Sequence, residues 1–339
     1  MITDRYYYSR LSEYEKKVYS RLYKGITALE TEIPVSGNVE KDSIARIYHA
    51  LSDDNPYFYY FNQSTLDIRR TAQETIFLPQ FFCSGEQIDT YNGRINEIVN
   101  RLMIELDLAN ADETRKERRI HDWFCQNVVY DEEAVNTDAR IGRLIAAHSI
   151  IGVFARKRAV CEGIAKATKI LFNTANMGCI VVSGESNRAA HKKHTWNIIK
   201  VNGNAYHLDM TWDIALSKEG HIGYDYYNLP EAAICLDHGS YDAVPECETW
   251  KENYFVQEGL LFPSQRKLEQ YLDRAIEAGQ RDLYFRMNDN GRRTTKEIIL
   301  CAQRYVLDKL ARDDAVQWKV RSSLNAAQRI GRIQLEPVM

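Results

Sequence analysis

The chain has 339 residues, of which 45% are hydrophobic and 27% charged, so it is long enough for two or three domains with sizeable cores and is not of the disordered class. Its formal net charge of −3 gives no general attraction to nucleic acid or to anionic membranes. No run approaches 18 uninterrupted apolar residues, and the amino terminus has no basic segment followed by an apolar one, so we expect neither a membrane-spanning helix nor a secretory signal.

Residues 1–110 are predicted to form a mainly helical region. Apolar residues recur at intervals of three and four between residues 11 and 26, which indicates an amphipathic helix. Pro34 and Gly37 then predict a loop. Ser43 is the expected cap of a second helix.

The aromatic run at 57–61 (YFYYF) has two interpretations. It is either a stacking surface for sugars or peptides, or a set of rings that packs this region onto the core, and the large area that buried rings contribute favours packing. Residues 76–83 read as a strand, and Pro79 within it predicts a sheet edge. A long helix is expected over 90–106.

Residues 112–130 are predicted to form a further helix with a buried apolar stripe. The basic run at 114–119 has acidic neighbours, so we interpret it as a solvated face and not as a nucleic-acid site. His121 lies on this helix and is interpreted as a packing residue instead of a ligand.

A cysteine opens the next predicted helix. After Cys161, apolar residues recur at helical spacing up to Ala175, and Gly178 is suited to the left-handed position that ends a helix. A helix N-terminus offers unpaired N–H groups and a favourable dipole, so a thiolate at Cys161 would be stabilised there. The same N–H groups suit the oxyanion that forms when a thiolate attacks an acyl carbon.

A hairpin follows. Residues 179–183 form a short β-branched strand, and two further runs, 194–201 and 205–212, flank the turn signal Asn-Gly. Folding the chain about that turn brings His194 and Asp209 close together, and strand periodicity allows both to point to one face. A carboxylate beside an imidazole fixes its tautomer and leaves the other nitrogen free to take a thiol proton.

Three segments carry a resemblance to a known family: RRIHDWFCQNVVYDEE (118–133), VCEGIAKA (160–167) and HTWNIIKVNGNAYHLDMTWD (194–213). They resemble the transglutaminase-like superfamily, in its bacterial, papain-related branch, over roughly residues 115–235. The resemblance implies Cys161 as nucleophile, His194 as general base and acid, and Asp209 as the residue that orients the imidazole. It also implies an α+β core in which the cysteine helix packs on an antiparallel sheet.

Other side chains near these three receive lesser roles. Tyr130, Trp196, His207 and Trp212 are expected to line the substrate site, with the alternatives that the two tryptophans fill the core and that His207 is structural. Papain-like proteases place a glutamine six residues before the nucleophile as an oxyanion donor, whereas this chain has Ala155, so a second donor must be a backbone N–H or a remote residue such as Tyr130.

The remaining six cysteines lack this context and read as core or incidental residues. The seven cysteines show no CxxC pair and no zinc spacing, and nothing in the sequence indicates a metal or a cofactor. Free thiols without a signal peptide favour a reducing, cytoplasmic setting.

The last part of the chain changes character. Residues 260–339 are predicted to form a small α/β domain with the order αβαββ, including helices near 268–278 and 295–311. The domain boundaries we expect are therefore 1–110, 111–245 for the catalytic core, and 260–339.

These patterns predict an enzyme that transfers acyl groups from amide or peptide bonds through Cys161, His194, Asp209 and a thioester intermediate. Its substrate is expected to be a protein or peptide, with neither nucleic acid nor membrane as partner. Water as acceptor gives a protease or amidase, which we favour, and an amine gives a transamidase. The alternative is a non-catalytic module that binds a peptide or glycan.

Overall fold

A computed structural model describes residues 5–63, 67–135, 141–187, 192–218, 221–241, 244–289, 291, 293–311 and 316–338. The chain divides into two compact units, the first formed by Met1–Tyr226 with His238–Glu248 and the second by Tyr227–Asp237 with Thr249–Met339. The predicted N-terminal region and most of the predicted core thus lie in one unit, whereas residues 227–237 of that core belong to the other, and the boundaries at 110, 245 and 260 stay predictions. No helix in the described ranges has the length and apolar content needed to cross a bilayer.

The N-terminal part of the first unit combines helices with a small antiparallel sheet of order β1-β3-β2. Its elements are α1 (Tyr6–Arg10), α2 (Glu13–Thr27), β1 (Ile33–Ser36), α3 (Lys41–Asp54), β2 (Asp67–Arg70), β3 (Glu74–Leu78) and α4 (Gly85–Glu105). Ser12 and Glu15 form a capping box that starts α2, and Ser84 and Gln87 form another that starts α4.

Three local predictions in this part were wrong. Pro34 lies in β1 instead of a loop, and it is tolerated because β1 is an edge strand, where a missing N–H costs little. Pro79 follows β3, which is the central strand and not an edge. Ser43 lies inside α3, whose N-cap is Glu40.

The rest of the first unit holds the cysteine helix and a second antiparallel sheet. Its elements are α5 (Glu113–Asn127), β4 (Val129–Tyr130), α6 (Glu132–Val135), α7 (Ile141–Ala147), α8 (Ile150–Arg156), β5 (Arg158–Ala159), α9 (Cys161–Thr174), β6 (Cys179–Ser186), β7 (Lys193–Val201), β8 (Asn204–Leu208), α10 (Met210–Leu216) and β9 (His238–Gly239). The sheet order is β8-β7-β6-β9.

Helix α9 packs on β6 and β7, and its residues from Gly163 to Phe172 are all buried. The amide of Asn197 on β7 donates to the carbonyl oxygens of Ala165 in α9 and Ile180 in β6, which ties the helix to the sheet. The predicted α+β core, a cysteine-bearing helix on an antiparallel sheet, is therefore confirmed.

The hairpin between β7 and β8 turns at Asn202 and Gly203, whose φ values of 47° and 86° are those of a type I′ turn. The returning strand was predicted to reach residue 212 but ends at Leu208, because Asp209 caps α10. Asn176, with φ of 60°, takes the left-handed position expected for Gly178.

The second unit contains α11 (Glu231–Ile234), α12 (Tyr254–Gln257), β10 (Leu261–Phe262), α13 (Gln265–Glu277), β11 (Asp282–Met287), α14 (Thr295–Leu310), β12 (Gln317–Asn325) and β13 (Ile330–Val338). From α13 onward the order is αβαββ, as the periodicity predicts. The sheet order is β10-β11-β13-β12, and α13 and α14 bury their apolar sides in one core with Leu272, Phe285 and Ile333.

Candidate active site

Cys161 is the first residue of α9 and is partly exposed. Its position is set by a close approach between the first turn of α9 and the connection from α7 to α8. The amide of Val160 donates to the carbonyl oxygen of Ala147 at 3.0 Å, and a Cβ on Gly163 would collide with that same oxygen. Only glycine permits this approach, so the Cys-Glu-Gly sequence fixes where the helix begins.

Cys161 and His194 line one cavity of about 950 Å³. His194 stands on β7 opposite Gly184 of β6, and its Nε2 lies 2.7 Å from Oδ2 of Asp209. Asp209 is fully buried and caps α10, with Oδ1 accepting from the amide of Trp212 at 3.2 Å. The carboxylate is thus fixed at both oxygens.

The charges of this pair depend on each other. Burial alone would lower the pKa of His194, but the Asp209 carboxylate and hydrogen bonds to Asp209 and Cys161 raise it to about 10. Burial alone would raise the pKa of Asp209, but His194 and His238 hold it well below its usual range. Because Asp209 occupies Nε2, Nδ1 is the ring nitrogen of His194 that is left for Cys161.

His238 is a site residue that the sequence analysis missed. Its Nε2 lies 3.1 Å from Oδ2 of Asp209, so that one oxygen accepts from two imidazoles. His238 reaches this place because β9 pairs with the end of β6 at Ser186. A two-residue strand has no periodicity, so no sequence signal announces this contact.

His194, Asp209 and His238 together offer three atoms within 4.8 Å of one another that suit a metal ion, a grouping that the sequence analysis did not foresee. The hydrogen bonds at 2.7 and 3.1 Å already saturate the shared carboxylate oxygen with ring N–H groups. Hydrogen bonds from two imidazoles to one carboxylate therefore explain why these three residues lie together, and the carboxylate orients the His194 ring.

Of the four residues predicted to line the substrate site, Tyr130 lines the cavity. Burial, with the nearby Cys161 and Asp209, raises the pKa of Tyr130 to about 12, so its hydroxyl remains a donor at neutral pH. Trp212 lies beside His194, with ring centroids 5.4 Å apart.

Trp196 and His207 lie beneath His194 and are buried. The Trp196 ring stacks on His194 at 6.0 Å with an interplanar angle of 17°, and its Nε1 donates to Nδ1 of His207 at 3.0 Å. Neither is among the residues that line the cavity. Trp196 therefore packs against the His194 ring on the side away from the cavity, and His207 holds Trp196 in place.

One wall of the cavity comes from the N-terminal region. Helix α3 contributes several of its side chains, namely Ala45, Tyr48, His49, Ser52 and Asp53, and the opposite wall includes Ser183, Gly184, Lys193 and Thr195 of the sheet. The cleft is therefore lined on one side by α3 and on the other by residues of β6 and β7.

His121 was interpreted as a packing residue, and the structure gives it buried ionic partners instead. Its Nδ1 lies 3.2 Å from Asp122 and its Nε2 lies 3.1 Å from Asp213 of α10. Burial favours the neutral ring, but Cys125 and these two carboxylates raise the pKa of His121 well above its usual value. His121 therefore anchors α10, the helix that Asp209 caps.

Part of the chain that holds this site is similar to a known family. Residues 98–219 match the model of a family described as a transglutaminase-like domain, and this stretch includes Cys161, His194 and Asp209. Kyphoscoliosis peptidase of Mus musculus is 25% identical over 182 residues, which are 50% of this chain and 25% of that protein. The chain thus spans 25% of the length of this curated relative.

Two solved structures are similar to parts of the chain. The crystal structure of a TGase is 13% identical, covers 56% of this chain and 53% of its own, and has a TM-score of 0.32. A candidate cysteine protease from Cytophaga hutchinsonii is 12% identical, covers 43% of this chain and 61% of its own, and has a TM-score of 0.28.

Proposed function

We propose that this chain, whose residues 98–219 form a transglutaminase-like domain, is a cysteine-dependent enzyme that cleaves amide or peptide bonds through a thioester. One observation carries the proposal. Cys161 begins a long helix in the same cavity as His194, and His194 is held by the buried Asp209 at 2.7 Å. The proposed nucleophile and the proposed base thus line one cavity, and the base is in contact with the carboxylate that orients it.

In the acylation step, the Cys161 thiolate attacks the carbonyl carbon and a C–S bond forms, while the carbonyl oxygen gains the negative charge. The N–H groups of the first turn of α9 face this oxyanion. Since Ala155 supplies no side-chain donor, we assign the second hydrogen bond to the hydroxyl of Tyr130, which lines the same cavity. His194 then gives its Nδ1 proton to the leaving nitrogen, and the C–N bond breaks.

In the deacylation step, His194 takes a proton from water, the hydroxide attacks the thioester carbon, and the C–S bond breaks to return the thiolate. Asp209 keeps the imidazole in one orientation through both steps. Water is the proposed acceptor, so the enzyme is a hydrolase of peptides or proteins. The peptidase name of the mouse relative supports water over an amine.

Alkylation by iodoacetamide tests the proposal without a known substrate. Each of the seven cysteines is followed by mass spectrometry between pH 5 and 9, in the parent and in His194→Ala. The exposed Cys235 and Cys301 serve as internal references for ordinary thiols. At pH 6 we expect Cys161 to react about tenfold faster than these references, and His194→Ala to remove the difference.

A Cys161 that reacts no faster than Cys235 in the parent would contradict the proposal. The cavity would then be a binding site for a peptide or glycan, which is the alternative left open by the sequence. Substrate capture by Cys161→Ala provides a further check, because this variant retains the cleft but cannot form the thioester.

A further inference from the structure

We infer that a second cavity, next to the cleft, is the subsite for a bulky uncharged side chain of the substrate. This inference rests on the proposed function. The cavity has a volume of about 390 Å³ and shares Gln63, His148 and Glu162 with the cleft. Glu162 directly follows Cys161, so the wall shared by the two cavities adjoins the proposed nucleophile, within reach of a substrate side chain next to the reacting carbonyl.

The walls explain the aromatic run at 57–61, for which the sequence left two interpretations. Tyr59 and Phe61 line the second cavity. Phe58 and Tyr60 instead turn toward other rings of the N-terminal region, with Phe58 5.0 Å from Tyr23. Tyr59 and Phe61 also pack against rings, with Tyr59 6.4 Å from Tyr91 and Phe61 6.0 Å from Tyr48, so the whole run packs and these two residues in addition line the cavity. Further apolar wall residues are Pro56, Phe82, Leu144 and Ile145.

The ionic groups of this cavity neutralise one another. Lys166 is buried, and its ammonium group donates to Glu162 at 2.6 Å, to Gln63 at 2.6 Å and to Ser52 at 3.2 Å, which uses its three protons. Lys166 and His148 outweigh the effect of burial and lower the pKa of Glu162 to about 2. This carboxylate therefore stays ionised and paired.

A charged substrate group in this cavity would lose its hydration without meeting an unpaired opposite charge among the lining residues that the structure describes. An aromatic or long aliphatic side chain would instead bury its surface against the apolar lining residues that are still partly exposed, Phe82, Leu144 and Ile145. The volume lies within the range of small-molecule pockets and accommodates one such side chain. The chemical class is therefore that of phenylalanine, tyrosine, leucine or methionine.

Much of this cavity is formed by residues 56–63 and 80–82, which lie outside the segment 98–219 that matches the family. The nucleophile belongs to the family, whereas the proposed selectivity belongs to the N-terminal region of this chain. The two are joined at Lys166, which extends from α9 to Ser52 and Gln63.

The test uses peptides of the form acetyl-Xaa-Gly. Chloromethyl ketones with Xaa as Phe, Leu, Ala, Asp or Lys are compared for their rate of labelling Cys161 in the full chain. We expect Phe and Leu to react about tenfold faster than Ala, and Asp and Lys to react no faster than Ala. Ile145→Trp fills the cavity and Phe82→Ala opens its wall. In each variant, the labelling rate with the Phe ketone should therefore fall toward the rate with the Ala ketone.

Tyr14→Ala is the matched control, because Tyr14 is an exposed aromatic residue that does not line the cavity. NMR then measures how tightly the corresponding acetyl-Xaa-Gly amides bind to Cys161→Ala. This variant cannot form the thioester, so the measurement reports binding alone. The subsite would be overturned if all Xaa peptides behaved alike, if Asp or Lys were preferred, or if the preference for Phe and Leu remained in Ile145→Trp. If Cys161→Ala prefers the Phe amide while the parent does not react with any ketone, the subsite stands and the proposed chemistry fails.

Discussion

Replacing Asp209 with asparagine should lower the pKa of His194 by several pH units while hardly changing the volume of the side chain. In the parent, burial is outweighed by Asp209 and its hydrogen bond, and the pKa of His194 is raised from 6.5 to about 10. This difference corresponds to roughly 5 kcal/mol in favour of the imidazolium. Without the carboxylate, burial acts with little opposition, and we expect a pKa below 6.5.

The substitution also changes how stability depends on pH. The raised pKa of His194 gives stability that is lost as the pH rises through about 10, and the lowered pKa of Asp209 gives stability that is lost at acid pH, so the pair stabilises the fold fully between about pH 4 and 6.5. An asparagine also places its amide N–H₂ group against a donor, either the Trp212 amide or the two imidazoles. We expect Asp209→Asn to destabilise the fold by about 3 to 5 kcal/mol at pH 6.

The assay is an NMR titration of the histidine ring resonances. His194→Gln identifies the resonance of interest among the eight histidines. Asp122→Asn is the control, because Asp122 contacts His121 and not His194. The parent and this control should titrate near pH 10, and Asp209→Asn below 6.5. Titration of the parent near 6.5, or an unchanged titration in Asp209→Asn, would refute the reasoning about the pair.

Two further substitutions probe the surroundings of this pair. His238→Leu removes one of the two donors to Asp209, so it should slow alkylation of Cys161 and lower the free energy of unfolding by about 1 to 3 kcal/mol. An unchanged alkylation rate would show that His238 has no part in positioning Asp209. Gly184→Ala brings a Cβ to 2.8 Å from the Trp196 ring and should lower stability to urea by about 1 to 3 kcal/mol. Gly93→Ala, in open space on α4, should instead stabilise by about 1 kcal/mol.

The parts of the site that sequence predicted are those with local signals. The turn at Asn202 and Gly203 needs two residues with positive φ, and those residues alone determine that β7 and β8 pair. The approach of His194 to Asp209 follows directly from that hairpin. The start of α9 was also predicted, since a helical stripe follows Cys161 at once.

The parts that sequence missed depend on contacts between distant segments. Asp209 was placed in a strand because alternation continues through it, but its carboxylate caps α10 and accepts from His238, 29 residues further on. Pro79 suggested an edge, although β3 ends just before it and pairs on both sides. Secondary-structure propensity and hydrophobic periodicity depend on residues that are near in sequence, so they do not predict contacts between distant segments.

The lysines of α9 have a consequence for how this domain can be divided. Lys166 and Lys169 are both buried in the helix that begins at the proposed nucleophile, and their ammonium groups reach back to Ser52, Gln63 and Asp54. A fragment trimmed to residues 98–219 would retain both cations and Glu162 but discard Ser52, Gln63 and Asp54, so we expect its interior to hold two charges with fewer partners than in the full chain. The segment shared with relatives is therefore not a self-sufficient folding unit here. In this chain, the helix that begins at Cys161 depends on the N-terminal region for partners of its buried lysines.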